Sequence, residues 1–169
     1  MDYQPDNCYW FVAGDTTQVF ASDRMTYVTA ADSAYQSWLD MGNTTSRNPS
    51  AVDLSDVLID YALPLVLAKG VQFTSKRVPV LNAVYSLDNT SLNAVGNVAR
   101  DVVAGFGFPL GNSTFSCKDH DGNVHDFDEQ AIQNFYKSAR NYIASLTVAI
   151  RARASHATDA LPNTPVVID

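Results

Sequence analysis

The stretch from Asp126 to about Ala154 limits the fold of this chain more than any other. Ile132, Phe135, Ala139, Tyr142, Leu146 and Ala149 recur at spacings of 3, 4, 3, 4 and 3, which puts them along one side of a single helix. Ile143 and Ile150 widen that stripe. At 1.5 Å of rise per residue the helix reaches roughly 40 Å. An apolar stripe of that length has to be covered, and two covers suit it. A wide stripe fits a helix laid across its own sheet. A heptad seam fits a partner helix or symmetry-related copies of the chain. Arg140, Arg151 and Arg153, at or beyond this helix, gather positive charge that suits either the helix C-terminus or an acidic partner.

Size and charge set the class. A chain of 169 residues makes one ordinary domain or two very small ones. With 46% apolar and 17% charged residues it has globular rather than disordered composition. Eleven Lys and Arg face eighteen Asp and Glu, a net charge of −7, which disfavours general nucleic-acid binding and anionic membrane surfaces. No apolar run approaches the ~18 residues of a membrane span, and Met1–Gln4 lacks the basic, apolar pattern of a secretory leader. Cys8 and Cys117 allow at most one disulfide and form no CxxC pair, so they are expected to be free thiols rather than zinc ligands.

The remaining elements are short, and together they predict an α+β chain. Residues 1–8 read as an arm. Tyr9–Ala13, Gln18–Ala21 and Met25–Val28 read as a small hairpin or meander around Gly14-Asp15-Thr16-Thr17. Thr29-Ala30-Ala31-Asp32 fits a capping box ahead of a helix carrying Tyr35, Trp38 and Leu39, closed by Gly42-Asn43. Asn43 to Pro49 reads as a loop. Ser50-Ala51-Val52-Asp53 caps a connector helix that Pro64 kinks or restarts before Gly70. Val71–Thr74 and Arg77–Val80 predict a hairpin around Ser75-Lys76. Asp88-Asn89-Thr90 caps a helix ended by Gly105-Phe106-Gly107-Phe108-Pro109. Thr114–Lys118 and Asn123–Phe127 flank Asp121-Gly122, a two-residue hairpin signal. The expected division is an aromatic hairpin and helix unit at 1–49, a connector helix at 50–69, and a domain at 70–154. That domain has β-β-α-β-β-α order, an antiparallel sheet and a long C-terminal helix, and a tail follows at 155–169.

The densest polar cluster is residues 119–129. It is the only stretch that invites a metal-dependent or hydrolytic reading. A calcium loop with Gly122 at its sixth position would begin at Cys117, the wrong ligand. Zinc through His120 and His125 requires the hairpin to bring them together. His125 beside Asp126, with Ser113 and Ser116 upstream, lacks a nucleophile elbow, and Cys117 reads as a small residue on a strand. Gly105-Phe106-Gly107 follows a helix and opens none, so it reads as a helix stop rather than a phosphate loop. We therefore expect no catalytic residue, no cofactor and no metal. The N-terminal aromatics exceed what so small a unit needs, and Trp and Tyr often anchor interfaces. Candidate interface residues are Trp10, Tyr35 and Trp38, with Ile132, Phe135, Tyr142 and Leu146 on the long helix.

The stretch Asp32-Ser33-Ala34-Tyr35-Gln36-Ser37-Trp38-Leu39-Asp40-Met41-Gly42-Asn43-Thr44 resembles a segment near the N-termini of phage and prophage tail-fibre-region proteins. The order of elements from Val71 to about Ala154, with its Asp121-Gly122 hairpin, resembles a domain of the same setting. The resemblance implies a non-enzymatic, tail-associated protein. It would be a structural or adaptor component of the virion at the baseplate or fibre attachment, or a fibre-assembly chaperone that leaves the particle. It implies a tail-fibre or baseplate protein as partner and a trimeric setting for any homo-oligomer. It also implies a place in the virion tail, and in the host cytoplasm during assembly.

Overall fold

A computed structural model describes residues 9–48, 50–157 and 159–169. The arm expected at residues 1–8, and with it Cys8, lies outside the described residues. The fold is α+β. The chain makes two compact units. One takes the chain through Leu63 together with Leu146–Leu161, and the other takes Pro64–Ser145 together with Pro162–Asp169. The expected division in simple chain order therefore gives way to an interleaved one. The long helix contributes its first turns to one unit and its last turns to the other.

In the first unit, β1 (Tyr9–Val12), β2 (Gln18–Ala21) and β3 (Thr26–Thr29) form the expected meander. The Asp15 carboxylate closes the first turn by accepting from Thr17 N at 2.8 Å. Helix α1 (Ser33–Asp40) follows. The segment expected to be a loop at 43–49 instead contains β4 (Ser46–Asn48), parallel to β1 at the sheet edge, giving the order β3-β2-β1-β4. Backbone ladder bonds do not need β-prone side chains at an edge, so Ser-Arg-Asn carries no pattern that announces a strand. Tyr9, Val19, Ala21, Tyr35 and Trp38 make the core between sheet and α1.

The cap of α1 is Asp32 alone; Thr29 stays in β3. The Asp32 carboxylate accepts from Tyr35 N at 3.0 Å, and the Arg24 guanidinium holds both its oxygens at 2.9 Å. Arg24 first, and then the Tyr35 amide, bring the Asp32 carboxyl down to about 2. The connector begins as expected. Ser50 caps α2 (Ala51–Val57), accepting from Asp53 N at 3.2 Å. Pro64 sits in the first turn of a short helix that restarts before Gly70, as expected. A wide π-type turn over Leu58–Ala62 leads directly into α3 (Leu63–Ala68). Proline lacks an N–H, and its ring crowds the carbonyl four residues back. A wide turn just ahead of it accommodates both.

The second unit keeps the predicted order, with different hairpins. β5 (Val71–Thr74) pairs with β6 (Ala83–Tyr85), not with 77–80. Pro79 starts a 3₁₀ turn, Pro79–Leu81, and Ser75 N donates to Asn82 Oδ1 at 2.6 Å across the longer loop. Gly70 (φ +87°) leads into β5, where a Cβ would run into Val84 Cγ1. Asp88 caps α4 (Asn89–Val103), accepting from Thr90 N and Ser91 N at 2.9 Å. β7 (Phe115–Lys118) and β8 (Val124–Phe127) then pair with Lys118 opposite Val124, and Asp119 N donates to Asn123 O at 2.9 Å, so three residues, 120–122, rather than two make the turn. Asp128 caps α5 (Glu129–Arg153) through Ala131 N at 2.7 Å. β9 (Val166–Val167) adds to β5 in parallel. The single antiparallel sheet expected here is thus a three-stranded β6-β5-β9 sheet plus a separate β7-β8 ribbon.

The core of this unit is aromatic. The rings of Phe73, Tyr85, Phe127 and Phe135 meet at centroid distances from 4.5 to 5.9 Å, mostly edge to face, the arrangement that ring quadrupoles favour. α4 and α5 come together where α4 has no side chain. A Cβ on Gly96 would lie 2.7 Å from the Tyr136 ring.

Asp32 gives this fold a defined acid response. Its folded pKa lies below its ordinary value, so its contribution is full above pH 3.8 and is lost as pH falls towards about 2. Asp32→Ala is expected to cost about 1 kcal/mol at pH 7. Denaturant titrations at neutral and acid pH should show the gap between variant and parent narrowing as pH falls through this window.

Candidate functional site

The structure corrects the expected interface. Trp10, Tyr35, Trp38, Ile132, Phe135 and Leu146 are all buried, none more than 7% exposed. Trp10 stacks on Phe20, and Tyr35 and Trp38 pack on Tyr9. Phe135 belongs to the aromatic core of the second unit. Tyr142 is half-buried, and its hydroxyl donates to Pro162 O at 2.9 Å. The heptad seam is therefore taken up within the chain, because both small cores draw on the same stripe.

The exposed apolar surface lies elsewhere. Val103 is 72% exposed, Phe106 81% and Leu110 98%, all within the segment that ends α4. Gly105 (φ +84°) and Gly107 (φ +70°) turn the chain, and Leu110 itself takes φ +62°. A non-glycine residue in that region costs roughly 1–2 kcal/mol, so the corner is held by its surroundings. Phe108, buried between the two exposed residues, anchors it. Local backbone bonds close it, from Gly105 N to Val102 O at 3.0 Å and from Phe106 N to Asp101 O at 2.9 Å. No charged residue occurs from Val102 to Cys117.

Val103 also borders a groove between α4 and α5. It encloses about 480 Å³ and is lined by Ala99, Arg100, Val103, Gln133, Tyr136 and Lys137 among others. Arg100 is steered by its own helix, through Nε to Gly96 O at 3.0 Å and a terminal nitrogen to Asn97 Oδ1 at 2.6 Å. Arg140 lies 5.8 Å from the Tyr136 ring centroid, within cation–π range. The groove lining combines apolar Ala99, Val103 and Ala104 with the cationic side chains of Arg100 and Lys137. Sequence reasoning treated Gly105–Pro109 only as a helix stop. Two large apolar residues among glycines, in an uncharged run, were the available signal.

The polar groups of the 119–129 cluster are engaged partly within the hairpin and partly by Val80, Ser86 and Arg77 outside it. The Asp119 carboxylate accepts from Asp121 N at 3.0 Å, Asn123 N at 2.8 Å and Asn123 Nδ2 at 3.0 Å, and meets His125 Nε2 at 2.9 Å. His125 and then Asn123 hold this carboxyl far below its ordinary range. The other nitrogen of His125, Nδ1, lies 2.8 Å from Val80 O, so both ring nitrogens are engaged. His120 Nδ1 instead meets Ser86 Oγ at 3.0 Å. Cys117 is a free thiol whose pKa burial pushes up to about 12, which leaves little thiolate near neutrality. Among the described residues, no group of three or more His, Cys, Asp and Glu side chains is placed to hold a metal ion.

Compared with protein-family models, curated proteins and solved structures, the chain matches none. The site is therefore defined by its own geometry.

The hairpin loop makes a selective prediction. Asp119→Ala removes the acceptor that organises residues 121–125 and should lower the melting temperature and speed amide exchange at Asp121 and Asn123. Asp121→Ala, at an exposed position, should stay within about 0.5 kcal/mol of the parent. Equal effects from the two variants would contradict the assigned role of Asp119.

Proposed function

We propose that this chain is a non-enzymatic, tail-associated adaptor of a bacteriophage, a structural component at the baseplate or tail-fibre attachment. The adaptor part rests on one observation, the uncharged segment at the end of α4 that leaves Val103, Phe106 and Leu110 exposed, with Val103 also lining a groove that contains Arg100 and Lys137. Large apolar side chains on a fixed backbone lose little entropy when they dock, which is what an interface anchor requires. The tail setting rests on the resemblance of Asp32–Thr44 to tail-fibre-region proteins. The non-enzymatic part is supported by how the 119–129 groups are used, since Asp119 and His125 spend their polar atoms on the hairpin loop, on each other and on Val80 O. The partner is a tail-fibre or baseplate protein with an acidic, partly apolar contact segment.

Light scattering after size exclusion, on the chain alone and mixed with the neighbouring tail-fibre product, tests this reading. A defined complex is expected, and Phe106→Ser with Leu110→Ser should weaken it tenfold or more, about 1.4 kcal/mol, with thermal unfolding unchanged. Charge reversal by Arg100→Glu and Lys137→Glu should weaken it most at low salt. Retention at fixed stoichiometry on purified particles marks a virion component, and a complex that is absent from particles marks an assembly chaperone. A chain that ignores the fibre and baseplate products would overturn the tail reading.

A further inference from the structure

Within the second unit, residues 162–169 lie in a groove as a bound peptide would. Val166 and Val167 run parallel to Phe73 and Thr74, and Ile168 N donates to Thr74 O at 3.0 Å. Ile168 is buried, 1% exposed. The next side chain, Asp169, accepts from Ser75 Oγ at 2.6 Å, Lys76 N at 2.9 Å and Arg77 N at 3.1 Å. From α5, Ser138 Oγ donates to Val167 O and Tyr142 OH to Pro162 O, each at 2.9 Å. The groove thus selects an extended backbone, an apolar anchor and a carboxylate on the residue that follows it. This is strand addition with side-chain pockets, a recurrent mode of peptide recognition.

Ser75 shows that the groove is built for that carboxylate. It is 5% exposed, one of two buried polar residues among those described. Its oxygen accepts from Val78 N at 2.9 Å, and its one proton goes to Asp169. Without the carboxylate, that buried donor has no acceptor among the described residues, a cost folded proteins avoid. Arg77, whose amide also binds Asp169, extends its guanidinium to both oxygens of Asp128 at 2.9 Å. The occupied groove is thereby tied to the cap of α5.

We propose that this groove is a peptide-recognition site that the chain fills with its own residues 162–169, and that it takes the same segment from a second copy of the chain, so that two copies exchange segments reciprocally. The occupant is set by the groove itself, since apolar-then-acidic is the pattern that fits and Ile168-Asp169 supplies it. Pro162 and Pro165 hold the segment out of helical conformation. Exchange replaces each contact by an identical one, so it costs little beyond the association itself. Self-filling dominates in dilute solution and exchange grows with concentration. This inference rests on the groove alone and is independent of the phage reading.

Mixed-copy cross-linking tests it in the full chain. One variant carries Thr74→Cys and the other Val167→Cys, with Cys8→Ser and Cys117→Ala in both, and a flexible bis-maleimide joins the pair. The mixture should give a covalent dimer whose yield rises with protein concentration. Excess synthetic peptide of residues 162–169 should reduce that yield roughly fivefold or more by competition for one slot. Ile168→Ala with Asp169→Ala in the Val167→Cys copy should abolish it. A chain carrying both cysteines should close within itself. If it closes while the mixture gives no dimer at any concentration, exchange is refuted. Dimer that persists with Ile168→Ala and Asp169→Ala, or in excess peptide, refutes it as well. Failure of the doubly substituted chain to close would show that the segment does not occupy the groove.

Discussion

The apolar stripe of α5 is the constraint on which the rest depends. A helix of 25 residues carries more apolar length than one very small core can cover, and an uncovered stripe is an association hazard. The chain meets this by giving Ala131, Ile132, Phe135 and Ala139 to one unit and Leu146, Ile150 and Ala154 to the other. Each unit is too small to stand on local propensity alone. α5 adds Ile132 and Phe135 to one core and Leu146 and Ile150 to the other, beside the aromatic side chains that the short strands supply. The large apolar side chains left exposed include Val103, Phe106 and Leu110 at the end of α4.

The acidic balance has a structural use that net charge does not reveal. Asp15, Asp32, Asp88, Asp119, Asp128 and Asp169 each accept from backbone amides at a turn or helix start, and each has its carboxyl lowered. Short loops leave amides without partners, and an adjacent carboxylate satisfies two or three at once. Every one of these groups stabilises the folded chain above its ordinary pKa and ceases to do so in acid. The −7 charge is partly the by-product of building many tight connections from aspartate.

What could be read in advance followed periodicity and capping. The spacing of Ile132 to Ala149 located α5, Ser50 and Asp88 located their helices, and the Tyr9–Val28 pattern located the meander. What could not be read depended on distant partners. β4 and β9 are strands because β1 and β5 offer parallel edges, not because Ser-Arg-Asn or Val-Val demands it. The wide turn before Pro64 compensates for one residue and leaves no periodic trace. Asp121-Gly122 signalled a tight turn, and Gly122 N does donate to Asp119 O at 3.1 Å, but three residues rather than two lie between the bonded pair Asp119 and Asn123. For the site, residue type pointed to the wrong aromatics. Trp10, Tyr35, Trp38 and Phe135 look like anchors by chemistry, and their burial was decided by packing that the sequence does not display. Phe106 and Leu110 were passed over because glycine and proline around them read as punctuation.

Side-chain oxidation of the isolated chain by hydroxyl radicals, read residue by residue by mass spectrometry, tests the central claim most directly. With the α5 stripe consumed internally, Phe106 and Leu110 should be oxidised rapidly, while Trp10, Trp38, Phe135 and Leu146 stay protected at the lowest concentration measurable. Rapid oxidation of Phe135 and Leu146 in dilute solution, lost as concentration rises, would contradict the account. The seam of α5 would then be an intermolecular surface rather than the shared interior of two small cores.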